Sequence, residues 1–85
     1  MGIVNRIVEP ERLEDDAMDV ARKIAANGPF AVRRIKEAVW RTWDLPLEEA
    51  YELESQLGEE VFRSDDANEG LAAFAEKRAP RFVGR

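Results

Sequence analysis

Residues 64–85 read SDDANEGLAAFAEKRAPRFVGR and contain the clearest structural signals of the chain. Ser64 or Asp65 suits the N-terminal cap of a helix, because its side-chain oxygen accepts hydrogen bonds from the free N–H groups there. Apolar residues then recur at helical spacing, which predicts a helix to about Lys77. Pro80 ends this region, because proline cannot continue a helical hydrogen-bond ladder. The tail that follows is predicted to be extended and basic.

Three further helices are predicted upstream. They begin near Pro10, Pro29 and Pro46, where the missing proline N–H is not needed by the first helical turn. The first ends at Asn27-Gly28-Pro29, the second at about Trp43 and the third at about Arg63. The second helix is basic and the third is acidic, which predicts that the two are complementary neighbours.

Residues 1–9 differ from the rest of the chain. Gly2 to Val8 is rich in β-branched residues, which is typical of a strand, but no second strand pattern follows. The segment is therefore either a disordered arm or the last strand of a sheet supplied elsewhere. We predict an all-α fold of about four helices over residues 10–85, with a short N-terminal extended segment over residues 1–9.

Composition excludes several classes of function. The 13 Lys and Arg residues against 18 Asp and Glu residues give a net charge of −5, which argues against general nucleic-acid binding. The chain contains no cysteine and no histidine, so disulfides, thiol chemistry and imidazole catalysis are excluded. No apolar run approaches the roughly 20 residues that span a bilayer, and no secretory signal is visible. We expect a cytoplasmic protein that binds neither nucleic acid nor membranes.

The sequence contains no recognisable active site or metal site. Adjacent carboxylates recur, at Asp15/Asp16, Glu48/Glu49, Glu59/Glu60 and Asp65/Asp66, but neighbours on a helix diverge by about 100° and cannot converge on one substrate atom. We interpret them as solvated helix faces. Trp40 and Trp43 lie three residues apart, and we interpret them as packing or interface residues rather than a stacking site for a ligand.

One constellation suggests binding. Phe74 and Lys77 are three residues apart, so a continuous helix would place them on one face. Arg78, Arg81 and Arg85 follow closely, although the chain as a whole is acidic. An aromatic ring beside cations suits a stacked purine with bound phosphates. The alternative is a basic helix end that opposes the helix dipole, with Phe74 in the core.

Three blocks of sequence resemble the C-terminal third of the enoyl-CoA hydratase/isomerase (crotonase) family. They are GIVNRIV at 2–8, AANGPFAVRRIKEA at 25–38, and the segment at 64–85 quoted above. The resemblance covers essentially the whole chain, and the last block is its most specific part. It departs from the family pattern at Gly58, where a bulky apolar residue is usual, and at Ala75, where leucine is common.

The resemblance implies a preceding catalytic core of repeated β-β-α turns. In the family that core holds the thioester oxygen with two backbone N–H groups and supplies the acidic residues that move protons. Gly2 to Val8 corresponds to its last strand. The helices cover the active site and form the contacts of a trimer, often stacked as a hexamer. Phe74 and Lys77 match positions that approach the adenine and phosphates of coenzyme A.

We therefore expect the C-terminal oligomerisation and pocket-covering part of an enoyl-CoA hydratase/isomerase-like protein, inactive alone and forming a homo-oligomer. No cofactor is required, and a coenzyme A thioester is the expected substrate of the complete protein. The alternative from another class is a stand-alone helical module that binds proteins and has no acyl-CoA role.

Overall fold

The computed structural model describes all residues, Met1–Arg85, and its regular secondary structure is entirely helical. A single 3₁₀ turn, Pro10–Arg12, leads into the first of four α-helices. The helices are α1 (Leu13–Ala25), α2 (Pro29–Thr42), α3 (Leu47–Phe62) and α4 (Asp65–Ala75). The predicted all-α class and helix number are confirmed. No helix combines the length and the apolar character needed to cross a membrane.

The helix ends follow the local signals in the sequence. Pro29 is the first residue of α2, and Pro46 is the N-cap of α3. Ser64 caps α4, because its hydroxyl oxygen accepts the Ala67 N–H at 3.0 Å. The predicted boundaries of the second and third helices are therefore correct to within a residue.

The strand predicted over residues 2–8 is absent. Residues 1–9 contain neither helix nor strand, and they run beside α1, where Arg6 Nη1 lies 2.9 Å from an Asp16 carboxylate oxygen. A β-strand is held by hydrogen bonds to a neighbouring strand, and this chain supplies none. The hydrogen bond from Arg6 lowers the pKa of the Asp16 carboxyl below its ordinary value.

Helices α2 and α3 form the closest helix pair. Leu57 of α3 is 5% exposed and lies between the helices, beside Ile35 and Ala38 of α2. The Arg34 guanidinium crosses to Glu60 at 2.6 Å, so the predicted contact between the basic and acidic helices is confirmed. Gly58 leaves a groove of about 250 Å³ along this pair, and no atom lies within 4 Å of the place its Cβ would occupy.

The helices form an open plate rather than a closed bundle. The molecule measures 42 × 40 × 18 Å and has a radius of gyration of 16.2 Å, compared with about 12 Å for a globular domain of this length. Only four residues are buried, and two of them are the polar residues Ser64 and Asp66. The apolar stripe of α1 is formed as predicted, yet its largest members remain open to solvent.

We expect Gly58→Ala to raise the free energy of unfolding by about 1 kcal/mol, because a Cβ fits without contact and alanine favours the helix interior. Urea unfolding followed by circular dichroism measures the change. Gly84→Ala is the matched control and should be destabilising, since Gly84 has φ 85° and a new Cβ would lie 3.5 Å from Pro29. A loss of stability at Gly58 would contradict this account.

Candidate functional site

Phe74 and Lys77 lie at the C-terminal end of α4, and both are open to solvent. Phe74 is 86% exposed, so the alternative in which its ring belongs to the core of this chain is wrong. Helix α4 ends at Ala75, two residues before Lys77. The two residues therefore do not share a face of a continuous helix, as their spacing predicted.

Lys77 lies in the turn that closes α4. Its φ is 54°, which makes it the only non-glycine residue with a left-handed backbone. The Arg78 N–H donates to the Ala73 carbonyl at 3.0 Å, and the Lys77 N–H donates to the Phe74 carbonyl at 3.2 Å. This pattern is a Schellman turn, in which glycine usually occupies the left-handed position. Lysine there is less favourable than glycine by about 1 kcal/mol, so something else must hold the turn.

Glu69 binds the chain on the far side of this turn. Its two carboxylate oxygens accept hydrogen bonds from the two Nη atoms of Arg78 at 2.5 and 3.0 Å, and one of them also accepts the Arg81 N–H at 2.7 Å. The hydrogen bonds from Arg78, and then the one from Arg81, lower the pKa of Glu69 to about 2. Because this folded-state pKa is depressed, the stabilisation is fully present above about pH 4.5 and is lost as the pH falls through about 2.

The cations of the predicted cluster divide into two groups. Arg78 is bound by Glu69 and Glu76, and Arg85 lies 3.2 Å from Asp65. The side chains of Lys77 and Arg81 form no ion pair within 4.0 Å. Lys77 therefore carries an uncompensated charge three residues after the exposed Phe74, just beyond the end of α4.

The tail is held by the buried carboxylate of Asp66, which is 4% exposed. Asp66 accepts the Val83 N–H at 2.6 Å and the Gly84 N–H at 2.9 and 3.1 Å, and its own N–H donates to the main-chain oxygen of Arg85 at 2.8 Å. Three polar contacts thus replace the water that this carboxylate loses on burial.

Phe82 and Arg33 connect the tail to α2. The ring of Phe82 packs over Gly28 and Gly70, where an added Cβ would lie 3.7 Å from its ring carbons, at ordinary contact distance. Arg33 donates to the Gly84 carbonyl at 2.7 Å. The ring of Phe82 and the Arg33 hydrogen bond therefore join the tail to the start of α2 and to α4.

Sequence reasoning missed the roles of Asp66 and Glu69. It interpreted Asp66 as part of a solvated helix face and singled out no role for Glu69. Their partners lie 9 to 18 residues away, in the tail. The absence of glycine after α4, where the chain must nevertheless reverse, was the one local signal that an additional contact was needed.

The remaining sequence candidates do not form a second site. Trp40 and Trp43 are 76% and 78% exposed and belong to no core of this chain. No three carboxylates converge in a group that could hold a metal ion. The geometry defines an open helical region whose C-terminal end presents an aromatic ring and a free cation.

The chain belongs to the enoyl-CoA hydratase/isomerase family, whose model matches residues 1–85. It is 44% identical over 85 residues to the enoyl-CoA hydratase EchA19 of Mycobacterium tuberculosis, covering 100% of this chain and 32% of that protein. It is 42% identical over 88 residues to carnitinyl-CoA dehydratase of Proteus mirabilis, covering 99% of this chain and 34% of that protein. The chain thus spans about a third of the length of the curated relatives it matches.

Solved structures are similar over the same extent. The enoyl-CoA hydratase of Bacillus anthracis superposes with a TM-score of 0.93 at 42% identity, covering 99% of this chain and 33% of that one. An enoyl-CoA hydratase of Mycobacterium tuberculosis gives a TM-score of 0.91 at 38% identity, with coverage of 99% and 33%. The open arrangement of the helices is therefore similar to that found within these larger proteins.

We expect Asp66→Asn to loosen the tail at a cost of about 1–3 kcal/mol, because an amide has one acceptor oxygen where the carboxylate has two. Hydrogen exchange of the Val83 and Gly84 amides measures the loss. Asp65→Asn is the control and should change exchange far less, since its contact with Arg85 is exposed. Equal effects of the two substitutions would refute the role assigned to Asp66.

Proposed function

We propose that this chain is the C-terminal helical part of an enoyl-CoA hydratase/isomerase-like protein, where it covers the coenzyme A pocket and forms subunit contacts. By itself it has no hydratase activity. The observation that carries this proposal is the surface that the helices leave uncovered, taken together with the family membership of the whole chain.

The accessible surface of 7570 Å² is large for the mass of the chain. A globular monomer of 9.7 kDa exposes about 5,100 Å², so the excess is about 2,400 Å². Permanent interfaces bury total areas of about 2,000–5,000 Å². An excess of this size, on a chain with large exposed apolar residues on every helix, supports a permanent partner surface.

The partner surface has two sources in this proposal. One is a catalytic core of the same protein, packed against the stripe of α1 and residues 1–9. The other is the helical region of further copies in a homo-oligomer, for which the exposed Trp40 and Trp43 are suitable anchors. The groups that polarise the thioester and move protons would belong to the core.

The coenzyme A contact is assigned to Phe74 and Lys77. The exposed ring of Phe74 offers a face on which a purine stacks, and the free Lys77 ammonium offers charge to a phosphate. Both residues bind and orient the acyl-CoA substrate, and neither takes part in making or breaking its covalent bonds.

We expect the chain by itself to self-associate and to show no turnover of crotonyl-CoA above buffer. Self-association follows from the uncovered apolar surface, and inactivity follows from the absent core. Sedimentation across micromolar concentrations and an ultraviolet hydration assay measure the two properties. A strictly monomeric mass would contradict the subunit-contact role, and measurable turnover would contradict the assignment as an inactive part.

We expect Phe74→Ala and Lys77→Ala each to raise the KM for crotonyl-CoA about tenfold with little change in kcat, because binding contacts away from the reacting atoms are lost. The test uses EchA19 with its matching third replaced by this chain, and unmodified EchA19 verifies the substrate. Phe62→Ala and Lys36→Ala remove an equally exposed ring and a similar exposed charge elsewhere. Equal effects at all four positions would refute the assignment.

A further inference from the structure

We propose that Glu69 is a positioning residue, which holds the left-handed turn at Lys77 and so orients Lys77 and Phe74 for the ligand. The orienting role rests on the proposed function; the control of the turn does not. Glu69 itself is directed at Arg78 and the Arg81 backbone, and it needs no contact with the ligand.

The geometry of a helix makes the Glu69–Arg78 contact incompatible with a right-handed backbone at residue 77. If α4 continued through Lys77, Arg78 would lie nine residues beyond Glu69, about 13.5 Å along the axis and half a turn around it. No carboxylate spans that separation around a helix. The observed double hydrogen bond therefore forms only when the chain reverses at Lys77, and it favours the reversed state over continued helix.

Glu69 closes the turn at two points. It binds the Arg78 side chain immediately after Lys77, and it binds the Arg81 main chain three residues further on. Lys77 is thus enclosed in a ring that runs from Glu69 through the last turns of α4 and back. Within that ring, the backbone angle of residue 77 is no longer free to relax to the right-handed region that lysine prefers.

The Glu69–Arg78 contact also means that Arg78 has an anionic partner, whereas the adjacent Lys77 does not. Arg78 is engaged by Glu69 and Glu76, whereas Lys77 has no anionic partner. Without Glu69, the partners left to Arg78 would be the neighbouring Glu76 and the Ala79 carbonyl. The turn therefore presents Lys77 as the free cation beside Phe74 and keeps Arg78 out of that role.

Substitution of Glu69 should release the turn, and glycine at residue 77 should restore it. Glu69→Ala is expected to speed hydrogen exchange of the Arg78 amide about tenfold, because the tail is then released and the hydrogen bond from this amide to the Ala73 carbonyl opens more often. Glu69→Ala/Lys77→Gly is expected to return exchange to within twofold of the unsubstituted chain, since glycine adopts a positive φ freely. Glu76→Ala is the matched control and should change exchange less than twofold, because Glu76 can reach Arg78 with either backbone.

The double substitution separates this role from simple stabilisation by an ion pair. With Lys77→Gly as the reference, the loss of Glu69 should change exchange less than twofold. If Glu69 only stabilised the end of α4, its loss would speed exchange as much in the Lys77→Gly chain as in the unsubstituted chain, and that result would overturn the proposal. Unchanged exchange in Glu69→Ala would also overturn it. Glu69→Gln keeps the shape of the side chain. It should also speed exchange of the Arg78 amide, by less than Glu69→Ala, and Lys77→Gly should again restore it, so the test does not depend on the alanine variant alone.

The ligand arm is measured in the EchA19 chimera with crotonyl-CoA. Glu69→Ala is expected to raise KM about fivefold and to leave kcat nearly unchanged, with Glu76→Ala again as the control. Glycine at residue 77 could restore exchange while neither Glu69→Ala nor Lys77→Ala changes KM. That combination would uphold the control of the turn and refute the coenzyme A assignment. A KM change in Lys77→Ala but not in Glu69→Ala would refute the positioning role alone.

Discussion

The buried carboxylate of Asp66 is the interaction on which the C-terminal end of the molecule depends. It accepts hydrogen bonds from the backbone of Val83 and Gly84, which follow it by 17 and 18 residues, and so brings the tail back along α4. The returning tail places Phe82 over Gly28 and Gly70 and brings Gly84 to Arg33 of α2. A buried carboxylate is stable only when such donors surround it, which ties the order of the tail to one side chain. Apart from the α2–α3 pair, this is the main connection between distant parts of the chain.

Burial in this molecule is the reverse of that in an ordinary domain. The buried residues are a leucine, an alanine, a serine and an aspartate, whereas both tryptophans, all four isoleucines, Phe62 and Phe74 are exposed. Internal contacts therefore specify the turns, caps and tail, but they leave the helix faces without cover. The chain belongs to the enoyl-CoA hydratase/isomerase family and spans about a third of the length of its relatives. In a larger protein, other elements can pack against the helix faces that are exposed here.

The helices could be predicted from the sequence because their boundaries are set by local chemistry. Pro29, Pro46 and Ser64 act within one turn of the residues that they order, so no knowledge of the tertiary structure was needed. The strand over residues 2–8 could not be predicted correctly, since β-branched composition favours a strand only when a neighbour exists. The same distinction applies to the site. Phe74 and Lys77 were visible as an aromatic and cationic pair, but Glu69 and Asp66 depend on a chain reversal that no short pattern records.

The plate is only 18 Å thick between its two broad faces. A helix with its side chains is about 10–12 Å across, so the plate is less than two helices deep. Only four residues are buried, so no inner layer of side chains separates one broad face from the other. In a larger protein, elements that pack on the two broad faces would therefore contact the same helices from opposite sides.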